Sequence, residues 1–452
     1  MVYVDIDGES VDVGTAYFTR RRGTSSTSFH YAPSYLSRKG AYPIDPALGL
    51  FAGPQQVDGL PGAFADCSPD RWGKNLITKR QQALSLQESR TPPSLGDVYF
   101  LVGVSDLTRQ GALRFRLDAD GPFLDPDLQV PKLVELPRLL RAADQVAEGG
   151  PDDLAAITAL LDAGSGSLGG ARPKASVRDE ERLLIAKFPH RSDEWDVMAW
   201  EKVALDLAEQ AGIDVPGSAL VQIDARHVLV LERFDRDGVR RRGYISAMTM
   251  IEGRDGDVRD YVELAETLAE HGATVRTDLH GLWRRIAFSV AIHNTDDHLR
   301  NHGFLREVGG WVLSPVFDVN PNPIVSEERV TGIGGARGRT DELNGLMTYA
   351  ETFDLSASDA QQILREVSDA TADWRRVAAS HGIGEAERHR FEPAFEGLRE
   401  QIASITSAAA VDERARPPED RQPRVPKGSK GGGRFAARPG RGQPSPSGRI
   451  WV

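Results

Sequence analysis

The segment His293-Asn294-Thr295-Asp296-Asp297-His298-Leu299-Arg300-Asn301 is followed, seventeen residues later, by Asp318 at the end of Leu313-Ser314-Pro315-Val316-Phe317-Asp318. The first segment places a His two residues after Asp296 and an Asn five residues after it. The second acid, Asp318, lies beyond an apolar strand. One carboxylate can deprotonate a hydroxyl, while an amide oxygen and a second carboxylate hold magnesium on nucleotide phosphates. The pattern predicts a phosphoryl-transfer site with Asp296, His298 and Asn301 as catalytic residues and Asn301 and Asp318 as metal ligands.

Each of these residues also has a structural interpretation. Asp296 could end a helix or form a turn, with Asp297 as the solvated member of the pair, and Asn301 or Asp318 could serve only in turns. His298 is more typical of a residue that braces a catalytic loop than of one that moves protons. Because several polar groups between an apolar helix and an apolar strand are costly unless used or fully paired, we favour the functional interpretation of the whole set.

Three features precede this segment in the order that protein kinases require: a loop over the phosphates, a strand Lys and a helix Glu that fixes the Lys. A Gly-rich loop lies at residues 164–170, a strand at residues 182–188 ends near Lys187, and a helix at about residues 194–211 carries Glu201. Taken alone, a Gly/Ser run is more often a linker, and a Lys at a strand end more often reaches solvent. Their order favours function.

The bulk properties indicate a cytoplasmic chain of two or three domains. Of its 452 residues 40% are apolar and 27% charged, and Cys67 is the one cysteine, which excludes a disulfide framework. We expect Cys67 to be a small apolar filler. The start of the chain lacks the basic and apolar regions of a signal peptide, and no run approaches the roughly 20 apolar residues of a membrane helix, so we expect neither export nor a membrane segment.

The net charge of −11 is unevenly distributed. Residues 414–449 carry ten Lys or Arg and two Asp or Glu, which leaves 45 basic and 64 acidic residues in the rest of the chain. Phosphate neutralisation needs clustered cations, so direct DNA binding by this acidic body is not expected, and a basic protein partner suits it better. The Pro-, Gly- and Arg-rich tail buries too little apolar surface to fold and is predicted to be disordered.

Together these motifs resemble the HipA-like serine/threonine kinases, the toxins of bacterial type II toxin–antitoxin pairs, over nearly the whole chain to about residue 405. The matching segments are a phosphate loop Ser167-Leu168-Gly169-Gly170-Ala171-Arg172-Pro173-Lys174, a nucleotide-binding strand Leu184-Ile185-Ala186-Lys187-Phe188-Pro189, an adenine hinge Leu231-Glu232-Arg233-Phe234-Asp235-Arg236, the catalytic loop Asn294 to Asn301, and accessory regions at Phe64 to Trp72 and Gln110-Gly111-Ala112-Leu113.

The resemblance implies an α+β, two-lobed protein-kinase-like fold with an N-terminal α/β subdomain and a mainly helical C-terminal lobe. The expected domains are an N-terminal subdomain at residues 1–130, a kinase N-lobe at 131–240, a helical C-lobe at 241–410 and a basic tail at 411–452. The role of the tail lies outside the resemblance.

It also implies ATP- and magnesium-dependent phosphorylation of a protein Ser or Thr, often in a translation component such as an aminoacyl-tRNA synthetase. The expected partner is a small DNA-binding HipB-like antitoxin, so that DNA is met only through the antitoxin. The family is further expected to phosphorylate a Ser at the head of its own phosphate loop, here Ser167. The Arg172-Pro173 pair departs from the family's pattern and stiffens this loop.

The residues that would bind the nucleotide follow from the matching segments. They are Ser167, Gly169, Gly170, Ala171, Arg172, Lys174, Lys187, Glu201, Glu232, Arg233, Phe234, His298, Arg300, Asn301 and Asp318. Glu194 and Glu209 are alternatives to Glu201 as the partner of Lys187. Two other functions remain open: a small-molecule phosphotransferase, which shares the Asp-x-His-x-x-Asn loop, and a catalytically inactive scaffold or co-repressor.

Overall fold

The computed structural model describes residues 1–21, 24–124, 130–149, 153–165, 172–180 and 182–415. Among the described residues, no helix is both long and apolar enough to cross a membrane. The chain folds from the N-terminus into an antiparallel sheet with short helices, then a second antiparallel sheet flanked by helices, and then a mainly helical part.

The N-terminal part is built on a five-stranded sheet. Its elements are β1 (Val2–Ile6), β2 (Glu9–Arg21), β3 (Thr24–Tyr31), α1 (Pro33–Leu36), β4 (Pro54–Asp58), α2 (Gly62–Asp66), α3 (Arg71–Gln87), α4 (Asp97–Val102) and β5 (Leu113–Phe115). The strand order is β4-β3-β2-β1-β5. Val2 and Val4 are buried and pair with Phe115 and Leu113, as expected from the alternation of apolar residues along β1.

The second part contains a four-stranded sheet of order β6-β7-β9-β8, numbered as follows. Its elements are α5 (Leu136–Glu148), α6 (Asp153–Asp162), β6 (Lys174–Asp179), β7 (Arg182–Lys187), α7 (Val197–Gln210), β8 (Ser218–Ile223) and β9 (Arg226–Glu232). Helix α7 begins later than predicted, because the Asp196 side chain accepts a hydrogen bond from the Ala199 backbone N–H and caps the helix there.

The third part is mainly helical. Its elements are β10 (Arg236–Asp237), β11 (Arg240–Arg241), β12 (Tyr244–Ser246), α8 (Ala247–Met250), α9 (Tyr261–His271), α10 (Val275–Ala291), β13 (Gly303–Glu307), β14 (Gly310–Leu313), α11 (Glu342–Thr348), α12 (Ala357–Ala372), α13 (Trp374–Ser380), α14 (Glu385–Glu396) and α15 (Arg399–Ala415). Residues 411–415, expected at the start of the tail, are thus helical, and the remaining tail at 416–452 lies outside the described residues.

Two apolar cores hold these parts together. One joins the N-terminal sheet to α7 and the C-terminal helices, and includes Phe29, Phe64 and Trp200. The other lies between α5, α6 and the second sheet, and takes in Trp72 and Leu76 from α3 of the N-terminal part. Since each core contains residues of the N-terminal part, this part packs against both of the others.

Candidate active site

Lys187, at the end of β7, lies between two carboxylates. Its Nζ donates to Glu201 Oε1 at 2.6 Å and to Asp318 Oδ1 at 2.9 Å. The Lys187 and Glu201 side chains are 9% and 1% exposed. Burial alone would lower the pKa of Lys187, but Asp318 and Glu201 outweigh it and hold the pKa well above its usual range. Lys187 is therefore a buried cation held in place by two carboxylates.

The alternatives to Glu201 are placed elsewhere. Glu194 precedes α7 and pairs with Arg390, and Glu209 is exposed near the end of the helix. Glu201 is the glutamate of this segment that contacts Lys187. It lies on the buried face of α7, which packs against the second sheet, where Lys187 ends β7, and against the C-terminal helices.

Asp318 lies in the loop after β14 with a left-handed backbone (φ 58°), a conformation that Asp tolerates better than most residues. Burial opposes its ionisation, but Lys187 and, next, Lys174 reverse that effect and lower its pKa to about 2. Asp318 is therefore a carboxylate at any pH near neutral.

The segment from Asp296 to Asn301 forms a short loop after α10. Helix α10 ends at Ala291, His293 reverses the chain with a φ of 53°, and Leu299–Asn301 forms a 3-10 turn. The buried Asn301 side chain donates through Nδ2 to the Asp296 carbonyl at 3.0 Å. The Asn301 amide oxygen is thereby directed away from this bond, and the two ends of the loop are held together.

The two adjacent acids of this loop have opposite environments. Asp297 is buried and accepts hydrogen bonds from Ser289 at 2.7 Å and from His302 Nε2 at 2.9 Å, with Arg329 3.7 Å away. These partners hold the pKa of Asp297 well below its usual range despite burial. Asp296 is the exposed residue. The expectation that Asp297 is the solvated member is therefore wrong, and the buried Asp297 network fixes the loop that presents Asp296.

Although Asp296 is exposed, partial desolvation of its carboxylate raises its pKa. His298 acts in the opposite direction, and Asp318 adds to the rise, which shows that all three lie within electrostatic reach of one another. The Nδ1 atom of His298 is buried and has no hydrogen-bond partner among the described residues. Asp296, His298 and Asp318 therefore lie in one region, to which Asn301 is joined through the Asp296 carbonyl and Lys187 through Asp318.

Several predicted nucleotide-binding residues cannot be placed. Ser167, Gly169, Gly170 and Ala171 lie outside the described residues. After them, Arg172 donates to both carboxylate oxygens of Asp193, at 2.8 and 2.9 Å. Lys174 opens β6 and is buried against the N-terminal part of the chain, with its Nζ 2.8 Å from Asp70 Oδ2.

Two family models match this chain. The model of the HipA N-terminal domain matches residues 6–91, and that of the HipA-like C-terminal domain matches residues 166–374, together well over half of the sequence. The chain belongs to the HipA family. The matched regions contain every predicted site residue.

Solved structures agree with this family assignment. HipA in the Shewanella oneidensis MR-1 complex of HipA, HipB and operator DNA superimposes with a TM-score of 0.62 at 15% identity, covering 90% of this chain and 99% of that one. This likeness confirms the two-lobed, kinase-like HipA fold. The proinflammatory kinase CtkA of Helicobacter pylori is a weaker match, with a TM-score of 0.43 and 14% identity over 54% of this chain and 94% of that one. No curated protein matches the sequence.

The hinge of this HipA-family chain is more engaged in internal contacts than its sequence indicated. The Arg233 guanidinium is buried and donates to Asp235 at 2.8 and 2.7 Å and to the Thr108 carbonyl at 2.7 Å. Glu232 is exposed and pairs with Arg182. Of the three predicted hinge residues, Phe234 is the one whose side chain lies near the site. Its ring centroid is 5.5 Å from that of Phe317.

A cavity of about 500 Å³ opens beside the hinge. Its lining residues are Pro216, Gly217, Glu232, Arg233, Phe234, Arg236, Asp237, Arg242 and Glu307.

Arg300, also predicted to bind nucleotide, instead bridges Asp66 at 3.4 Å and Asp255 at 2.9 Å. Sequence reasoning missed Asp66 and Asp70, whose partners Arg300 and Lys174 are distant in the sequence, and the contact of Asp235 with the distant Gly111 backbone N–H.

The donor atoms fit a magnesium–nucleotide complex. Magnesium prefers hard oxygen ligands, and an ionised Asp318 together with the amide oxygen of Asn301 provides a carboxylate and a neutral oxygen of that kind. Lys187 supplies a fixed positive charge for phosphate oxygens. Asn301 and Asp318 are the residues that would hold the metal ion.

Proposed function

We propose that this chain is an ATP- and magnesium-dependent serine/threonine protein kinase that acts as the toxin of a type II toxin–antitoxin module. Membership of the HipA family favours this function over others that the kinase-like fold accommodates. The observation that carries it is the contact of the buried Lys187 with both Glu201 and Asp318. A lysine paired with a helix glutamate and an adjacent metal-binding carboxylate is what phosphoryl transfer from ATP requires.

In the proposed reaction each residue has one role. Lys187 binds nucleotide phosphates, and Asn301 and Asp318 hold the magnesium, which would offset charge on the transferred phosphoryl group. Asp296 accepts the proton of the attacking hydroxyl, for which it must be a carboxylate within hydrogen-bond reach. His298, between Asp296 and Asn301 in the loop, orients the base.

A small DNA-binding protein of the HipB type is the proposed partner. The Shewanella oneidensis HipA that shares this fold was crystallised with HipB and its operator DNA. The acidic body of the present chain, with 45 basic and 64 acidic residues outside 414–449, makes direct DNA contact unfavourable and a basic partner favourable. The proposed substrate is a protein hydroxyl in a translation component such as an aminoacyl-tRNA synthetase.

Ser167 is the proposed site of self-phosphorylation. A phosphate there adds about −2 charge next to the phosphate-binding loop, which would repel the nucleotide and inactivate the enzyme. Arg172 and Lys174, a few residues on, are engaged with Asp193 and Asp70, so that the loop is tied down at its C-terminal end.

The decisive experiment is the intact mass of the purified protein after incubation with Mg-ATP, with Asp296→Ala beside the wild type. We expect a gain of about 80 Da, one phosphate, in the wild type only, mapped to Ser167 by peptide analysis. Asp296→Ala should still bind ATP, because the base is not a phosphate or metal ligand, while Asp318→Ala should lose the metal dependence of binding.

The other outcomes are equally informative. Retained turnover in Asp296→Ala would remove Asp296 from the role of base. ATP binding without a mass gain, but with phosphate transfer to a protein added in trans, would restrict the proposal to substrate phosphorylation, and transfer only to sugars or lipids would favour the small-molecule phosphotransferase. A wild type that binds no ATP would support the scaffold.

A further inference from the structure

The two carboxylate oxygens of Asp70, in the N-terminal part of the chain, have different partners. Oδ1 accepts a hydrogen bond from the Gly73 backbone N–H at 2.6 Å and so caps helix α3. Oδ2 accepts from Lys174 Nζ at 2.8 Å, and the two side chains are only 6% and 3% exposed. An ion pair this deeply buried, between residues 104 positions apart, couples the N-terminal part to the end of the phosphate loop.

Lys174 is also a direct neighbour of Lys187. The two lysines are paired across β6 and β7 in the sheet register, and both are buried. Like charges directly opposite each other destabilise a sheet, and burial increases that cost. The arrangement is tolerable because carboxylates alternate with the ammonium groups: Lys187 lies against Glu201 and Asp318, and Lys174 lies against Asp70.

Asp318 lies within electrostatic reach of both lysines. Burial opposes the ionisation of Asp318, but Lys187 and then Lys174 lower its pKa; burial raises the pKa of Asp70, and Asp318 adds to that rise. Asp70, Lys174, Asp318, Lys187 and Glu201 thus form one chain of alternating charge that runs from the N-terminal part into the proposed metal site.

We propose that Asp70 is a positioning residue of the nucleotide site, which keeps Lys174 paired away from Asp318 and so leaves Asp318 able to bind magnesium. The inference rests on the proposed function, since it assigns a purpose to Asp318 as a metal ligand. Without the Asp70 charge, the buried Lys174 loses this carboxylate, while Asp318 remains a second carboxylate within its electrostatic reach. Two lysines would then compete with the metal ion for one carboxylate.

Asp70→Asn separates the two roles of this side chain. Asn caps helices as well as Asp does, so the start of α3 is preserved, while the charged oxygen that faces Lys174 is replaced by an uncharged NH2 group that cannot accept its hydrogen bond. We expect the magnesium concentration for half-maximal nucleotide binding to rise about tenfold, the effect of losing one charge-assisted hydrogen bond, with little change in binding measured at saturating magnesium. Asp70→Ser, also a good cap, should behave in the same way.

Asp45→Asn is the matched control. Asp45 is a buried carboxylate of the same N-terminal part, but its oxygens accept from the Ala47 and Ala63 backbone N–H groups and not from a lysine. Its magnesium dependence should equal that of the wild type. In a Lys174→Met background, Asp70→Asn should add nothing to the magnesium requirement, because the competing cation is gone.

Each outcome of this experiment decides between the alternatives. If both folded Asp70 variants keep the magnesium dependence of the wild type, or if Asp45→Asn raises it as much as they do, the inference is overturned. If Asp70→Asn raises it equally with and without Lys174, the effect does not pass through Lys174, and the inference is again overturned. A wild type that shows no magnesium-dependent nucleotide binding would overturn the proposed function itself, which the wild-type measurement alone reveals.

Discussion

At the scale of single residues, two carboxylates of the candidate site differ in opposite directions from an ordinary aspartate. The lysines lower the pKa of Asp318 to about 2, whereas desolvation raises the pKa of Asp296 above its usual 3.8. Environments that push two acids apart in this way assign them separate roles. Asp318 remains ionised and available to metal near neutral pH, and Asp296 is the acid of the two that titrates at the higher pH.

The activity should therefore have one acid limb, set by Asp296. A general base works only when deprotonated, so the rate falls as the pH drops through the raised pKa of Asp296 and is constant above it. Glu327 is one of the carboxylates that raise this pKa, so Glu327→Gln should move the limb to lower pH. The measurement is kcat/KM against pH for both proteins, with circular dichroism to confirm folding. A limb that does not move, or that lies at or below 3.8 in the wild type, would contradict this assignment.

Much of this site could be predicted from the sequence, because the order of a strand Lys, a helix Glu and a catalytic loop is itself a constraint. The sequence did not predict which of the two adjacent acids, Asp296 or Asp297, is buried. Asp297 is buried by Ser289, His302 and Arg329, and the position of Arg329 relative to the loop depends on the path of the chain after Asp318. The Asp70–Lys174 pair was missed for the same reason, since 104 residues separate the partners.

At the scale of elements, α7 is held in place from the side opposite Lys187. Trp200, next to Glu201, stacks on Phe391 of α14 with ring centroids 3.8 Å apart, and its Nε1 donates to Glu387 at 2.8 Å. Trp374 of α13 lies 6.1 Å from Trp200 between ring centroids. The helix that carries Glu201 is therefore packed into the C-terminal helices, which hold Glu201 beside Lys187.

Removing this anchor should weaken both stability and nucleotide binding. Trp200→Ala leaves a large cavity and is expected to cost about 3–5 kcal/mol of unfolding free energy, measured by urea denaturation. Because Glu201 loses its fixed backbone, the KM for ATP should rise as well. Phe391→Leu removes the aromatic ring of α14 that stacks on Trp200 and leaves the sequence of α7 unchanged. It should also lower stability and raise the KM for ATP, to a smaller extent. Loss of stability with an unchanged KM in both variants would show that α7 does not need this packing to position Glu201.

The sequence predicted a strand at residues 182–188 and a helix at about residues 194–211, which are β7 and α7, but not the ends of α7. The helix begins at Val197 because Asp196 caps it, a local hydrogen bond that apolar spacing does not report. The short helix Asp97–Val102 could not be told from a strand, since six residues are too few for either period to be visible.

At the scale of the whole molecule, the hinge between the two kinase-like lobes is tied to the N-terminal part. Asp235 is buried between Arg233 and Arg236 and accepts from the Gly111 backbone N–H at 2.8 Å, while Arg233 donates to the Thr108 carbonyl. The sequence placed Arg233 at the nucleotide because the hinge motif contains it. Its side chain is instead used to hold the N-terminal part, which could not be foreseen from a motif that fixes only the backbone path.

Breaking this junction should therefore destabilise the whole chain. Asp235→Asn leaves two buried arginines without their carboxylate, for which we expect a loss of about 3–5 kcal/mol in urea unfolding. Glu9→Gln, which breaks the exposed Arg38–Glu9 pair, is the control and should cost less than about 1 kcal/mol.

Burial would raise the pKa of Asp235, but Arg233 and Arg236 hold it well below its usual range. A depressed pKa stabilises the folded state above the ordinary value of about 3.9 and loses that contribution as the pH falls below it. The difference in stability between wild type and Asp235→Asn should thus be full at pH 7 and shrink below about pH 4; a difference that persists undiminished into acid would mean that the lost contact is not the charge of Asp235.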